Sequence, residues 1–203
     1  VLHWQLIVLA AVLLGSGTLG PSVEWALRLE SPLPPTQLWR LFTAHFVHLN
    51  AVHAAMNALG LILCGLMAPW SQIFPWIGLV SLLSAGISFT LLYFYPGELP
   101  YVGFSGVLYG LYAAALMPGV LQLRWEAVWA YSGIAVWLVL QSLGNVTALD
   151  EQWIGGRVVV VSHLVGFSLA TIGVCASYLA RQRWPIVVAS NAQVGSNTAD
   201  KMR

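Results

Sequence analysis

Residues 101–116 read YVGFSGVLYGLYAAAL, which places a glycine-flanked serine at the mouth of an apolar helix of small residues. A helix that is apolar all round is buried in a core or in lipid. Serine in such a helix is ordinarily a packing residue. Here Gly103 and Gly106 strip the neighbouring backbone to hydrogen, and that leaves room for the serine to act as a nucleophile. The remainder of the chain has to decide between the two readings.

The composition decides for lipid. Of 203 residues 59% are hydrophobic and 7% charged, with a mean hydropathy of +0.79, whereas a soluble domain carries about a quarter charged residues. Such a chain cannot cover itself with a polar surface, so it reads as an all-α integral membrane protein. Its length admits six spans of about 20 residues. Apolar runs broken by Pro, Gly and charge place them at 2–19, 49–68, 73–95, 103–120, 127–144 and 158–180. The first run is too long for a signal-peptide core and is expected to be retained as a span. Residues 1–180 then form one six-transmembrane-helix bundle, and 181–203 a polar, disordered tail. Cys64 and Cys175 lie inside apolar runs and read as small core residues. A net charge of +1 suggests neither nucleic acid nor an acidic substrate.

Lys and Arg set the orientation. With the N-terminus inside, the inner loops and tail hold Arg124, Arg181, Arg183, Lys201 and Arg203, and the outer loops hold Arg28, Arg40 and Arg157. The expected topology is therefore N-in, C-in. The first outer loop, with WALRLESPLPPTQLWRLF at 25–42, mixes charge with Trp and Leu and is expected to lie in the membrane interface. Trp25, Trp39, Trp76, Trp125, Trp153 and Trp184 fall near span ends, as an aromatic belt would.

Polar groups at membrane depth are costly and point to function. On the second span His53 and Asn57 are four apart, one above the other, and Gly60 and Cys64 continue that stripe. On the sixth, His163, Gly166, Ala170, Gly173 and Ser177 recur at steps of three and four. The fourth carries Gly106, Gly110 and Ala113 beneath Ser105, with Tyr109 one turn below the serine. Small faces let helices approach closely, so Ser105, His53, Asn57 and His163 are expected to meet. Each group alone has a plainer reading: a packing glycine, an interhelical hydrogen bond, or haem or metal ligation by His45, His48 and His53. Their coincidence at one depth favours a site.

Acyl transfer by serine needs a base within hydrogen-bond reach and donors where the oxyanion develops. Either His163 or His53 meets the first need. None of the seven acidic residues falls within a span, so a serine hydrolase here would use a Ser–His dyad without the usual orienting carboxylate. The neutral amide of Asn57 suits an oxyanion donor. The backbone N–H of Ser105, free at a helix start, is a second.

GFSG at 103–106, HAAMN at 53–57 and HLVG at 163–166 resemble the Gly-x-Ser-Gly, His-x-x-x-Asn and His-x-x-Gly signatures of rhomboid intramembrane serine proteases. They fall in the same order on spans four, two and six. Trp39–Arg40 in the first outer loop, His48 and Tyr109 extend the resemblance, which covers about 36–180. The departures are small: the loop before span two is Pro-rich, and no soluble domain is read ahead of span one. The resemblance implies Ser105 as nucleophile and His163 as general base. It implies His53, Asn57 and the Ser105 amide as oxyanion stabilisers, with Gly103 leaving room for the substrate backbone. Tyr109 would pack on the His163 ring, while Gly106 and Gly166 would let spans four and six close together. Spans two and five and the loop before span six would gate substrate access, and residues 96–103 would flank the oxyanion site. Substrates would be single-pass membrane proteins or C-terminally anchored exported proteins, cut near the outer face of a bacterial inner membrane with no cofactor. A compact six-span chain also resembles the rhombosortase subgroup.

Three rivals remain: an inactive relative that binds membrane clients, a haem-binding electron carrier using His48, His53 and His163, and a small transporter. Retention of both serine and histidine speaks against the first. A Soret band would mark the second. The third lacks the broken helices or half-to-half symmetry often seen in that class.

Overall fold

The computed structural model describes residues 4–67, 76–144 and 146–183, and among these all extended regular structure is helical. The apolar runs become helices nearly where they were expected. α1 spans Trp4–Ser16, α4 Ala51–Met67, α5 Trp76–Phe94, α6 Ser105–Leu121, α7 Trp125–Ser142 and α9 Val160–Arg183. Three short helices occupy the connections: α2 at Pro21–Leu27, α3 at Arg40–Thr43 and α8 at Ala148–Ile154. The helix of the sixth run continues to Arg183, past the expected start of the tail, and residues 184–203 of that tail, with Trp184, lie outside the described residues. So do Val1–His3 and the connection at 68–75.

Helix length tests the span count. Ile77–Phe94 and Val160–Gln182 are long and apolar enough to cross a bilayer unaided, and the number rises to four if two sharply bent helix pairs each count as one span. Those pairs bend by 119° between α1 and α2 and by 92° between the Arg40–Phe46 segment and α4. The first bend follows Gly17 and Gly20, and Pro21 then opens α2 at a position where its missing N–H costs nothing. The second precedes Asn50, whose side-chain carbonyl accepts the His53 amide at 2.8 Å and so caps α4. α6 has only 17 residues with Pro118 near its end.

α6 runs through the centre of the bundle, in contact with α4, α5, α7 and α9. Its small residues make this possible. A methyl on Gly106 would sit 2.9 Å from the Ser162 carbonyl oxygen, and one on Gly110 2.8 Å from that of Gly166. A methyl on Gly166 would in turn collide with the Gly106 carbonyl. α6 and α9 therefore cross backbone against backbone. The small-residue stripe on α9 is tight only over its first turns: Ala170 is buried, but Gly173 faces open space and Ser177 is exposed. Phe104, Leu61, Leu83, Ile87 and Leu111 fill the core, while Leu66, Ile77, Leu82 and Ile172 point outward. Large apolar residues on the outside as well as in the core suit a lipid surround.

The first outer loop is fastened at several points. Arg40, nearly buried, reaches the Arg28 carbonyl at 3.3 Å and the Glu30 carboxylate at 3.2 Å, and Arg28 binds the other oxygen of that carboxylate. Leu29 and Tyr101 exchange backbone hydrogen bonds of 3.0 and 2.9 Å, an isolated antiparallel bridge to the loop before α6. Below it His45 Nε2–H donates to the Ser84 carbonyl and the Ser88 hydroxyl on α5, and Ser88 donates onward to the Leu41 carbonyl.

Candidate active site

Ser105 is the first residue of α6, so its amide and the two that follow lack acceptors within the helix. His163 sits one turn into α9. The crossing of the two helices at Gly106 and Ser162 brings the Ser105 hydroxyl to 2.8 Å from His163 Nε2. His163 is buried, and Tyr109, one turn below the serine, packs its ring on the imidazole at a centroid distance of 4.6 Å and an angle of 36°.

The other face of the imidazole edge is also engaged: Nδ1 lies 3.0 Å from the side-chain oxygen of Gln141 on α7. An amide oxygen only accepts, so this contact is a hydrogen bond in the tautomer that carries the proton on Nδ1 and presents the Nε2 lone pair to the serine. That is the form a general base requires. Gln141 is buried on α7, and the sequence pattern did not single it out. A polar side chain at that depth was the available signal.

His53 and Asn57 enter from α4. Gly103, at φ +120, has no side chain to strike the His53 ring, whose Cε1 and Nε2 would lie within 2.9 Å of an added methyl. The Gly103 amide donates to the Ala44 carbonyl at 2.9 Å and its carbonyl accepts the Tyr101 hydroxyl at 2.7 Å. Gly103 therefore acts through the space it leaves. Asn57 donates one amide proton to the His53 carbonyl at 3.1 Å, which leaves the second for the cavity. Burial pushes the Tyr101 phenol well above its ordinary range, so it stays a donor.

His53, Asn57, Ser105 and His163 line one cavity of about 650 Å³. α4 walls it on one side with Met56, and α7 on another with Ile134 and Trp137. Asp150 on α8 and Arg157 on the following loop contribute charge to the lining. Burial, and then its neighbour Glu151, push the Asp150 carboxyl above its usual value. Arg157 pairs with Glu98 at 2.8 Å and ties the loop before α9 to the 96–98 turn.

Two of the expected residues stand apart from the chemistry. Arg40 holds the first outer loop. His48 Nδ1 lies 2.7 Å from the Ser16 hydroxyl, which itself donates to the Leu13 carbonyl, so His48 fastens α1 and meets His53 only ring edge to ring. The rings of His45, His48 and His163 are thus divided among separate hydrogen bonds, and the His53 ring edge meets His48 and Gly103. Among the described residues no group of three or more His, Cys, Asp or Glu side chains is placed to hold a metal.

The model of the Rhomboid domain matches residues 35–183. The chain belongs to the rhomboid family. This makes it an integral membrane protein of an intramembrane-protease family. The matched rhomboid segment runs from just before α3 to the end of α9 and contains every side chain of the cavity described above. No curated protein matches the chain.

Proposed function

We propose that this rhomboid is an active intramembrane serine endopeptidase in which Ser105 is the nucleophile and His163 the general base. The 2.8 Å contact between the Ser105 hydroxyl and His163 Nε2 at the wall of the cavity carries the reading. The serine proton passes to Nε2 as Oγ bonds to the scissile carbonyl carbon. Collapse of the tetrahedral adduct breaks the C–N bond, and the proton on Nε2 leaves with the amine. A water then repeats the sequence on the acyl-enzyme. The Ser105 amide, the free proton of Asn57 and His53 stabilise the oxyanion, and Tyr109 keeps the imidazole in place.

The substrate is a transmembrane segment or C-terminal membrane anchor. An apolar cavity walled by α4 and α7 suits an apolar helix that unwinds at its polar end. All six long helices act as spans, the shorter ones within a locally thinned bilayer. Both termini face the cytoplasm of a bacterial inner membrane, which puts cleavage near the outer face, and the rhombosortase-like anchor-trimming role is one form this activity takes. The test is cleavage of single-pass reporter proteins in proteoliposomes by the purified chain. Ser105→Ala should abolish cleavage and leave the unfolding midpoint unchanged, since one hydroxyl on a small face adds little packing. Cleavage retained by Ser105→Ala would overturn the assignment.

A further inference from the structure

Gln141 is the part of the cavity that the Ser–His chemistry leaves without a task. It lies on α7, with its side chain buried against His163. Its oxygen is 3.0 Å from Nδ1, on the side of the ring opposite the serine. The Tyr109 hydroxyl also faces Gln141 and Trp137. A neutral imidazole has two tautomers, and only the one protonated at Nδ1 leaves Nε2 free to take the serine proton. Tyr109 packs on the ring face and cannot distinguish them. Gln141 can in the orientation it holds, with its oxygen toward Nδ1, because that oxygen accepts from Nδ1–H and has nothing to offer a bare Nδ1 lone pair. With no carboxylate in any span, the third place of a serine–histidine array falls to a neutral amide. That residue is buried at lower cost than an ion, and it stabilises the imidazolium formed during attack by its dipole alone.

We infer that Gln141 is a positioning residue that fixes the His163 tautomer and orientation, completing a Ser105–His163–Gln141 array. Because Gln141 belongs to α7, the base is held in its working form only while α7 stays packed on α9. Displacement of α7 on its own disarms the serine. The inference rests on the protease reading above.

The experiment is the rate of labelling by a fluorophosphonate probe in detergent, for the full chain and for Gln141→Leu and Ser105→Ala. It is joined by nitrogen-15 spectroscopy of the His163 ring in the wild type. Wild type should label, Ser105→Ala should not, and Gln141→Leu should label about tenfold to a hundredfold more slowly, the loss expected for one hydrogen bond to a group that becomes charged. The ring should show the Nδ1–H tautomer. A Gln141→Leu chain that labels at the wild-type rate, or a wild-type ring protonated at Nε2, overturns the inference and leaves the Ser–His reading standing. A wild type that fails to label removes both. If Gln141→Leu does not fold, the wild-type tautomer decides alone.

Discussion

Asn57 shows how one side chain would be held for the proposed reaction before it begins. It spends one proton on the His53 carbonyl at 3.1 Å and keeps the other, so its amide is fixed in direction before substrate arrives. Asn57→Ala should lower turnover about a hundredfold, near 3 kcal/mol, while other donors remain. Reporter cleavage rates measure it, and a variant matching wild type would remove Asn57 from the oxyanion site. Ser105, His53, Asn57 and His163 were legible because hydroxyl, imidazole and amide groups stand out in apolar runs, and helical spacing put them at one depth. Gln141 was not, because no histidine or serine stands three or four residues from it to mark that face of the fifth run. Nor does a sequence show that the Gly103 amide is already taken by Ala44. That depends on a loop conformation no periodicity encodes.

At the scale of elements, the close crossing of α6 and α9 determines whether Ser105 and His163 meet. Gly166→Ala places a methyl against the Gly106 carbonyl, where only backbone can yield. It should cost about 1–3 kcal/mol in stability and slow labelling of Ser105, read by detergent unfolding and probe kinetics together. Gly173→Ala on the same helix meets open space. There the gain in helix propensity should leave stability unchanged or raise it by up to about 1 kcal/mol. The long helices were readable to within a few residues because helices of 13 to 24 mostly apolar residues leave a strong signal. The short helices of the loops were not, since seven residues barely complete two turns. The Leu29–Tyr101 bridge joins two loops far apart in sequence through backbone atoms alone, and side-chain pattern carries no trace of it.

At the scale of the whole molecule, Asp150 brings a carboxyl to the lining of the cavity, where burial and Glu151 act on it. Its folded-state pKa is raised, so the folded chain holds that proton more tightly than the unfolded chain does. Ionisation at neutral pH therefore opposes folding. The opposition fades as pH falls through the raised value and is gone below the ordinary aspartate value. Asp150→Asn should accordingly raise the unfolding midpoint at neutral pH, with the two chains converging in acid. Equal midpoints at neutral pH would show that the carboxylate is well solvated.

The crossing of α6 by α9 also sets a timetable for biosynthesis. Ser105 is synthesised well before His163, which follows it by 58 residues. On the proposed reading, a nascent chain that ends before α9 holds the nucleophile without His163. Cleavage would then wait on the docking of α9.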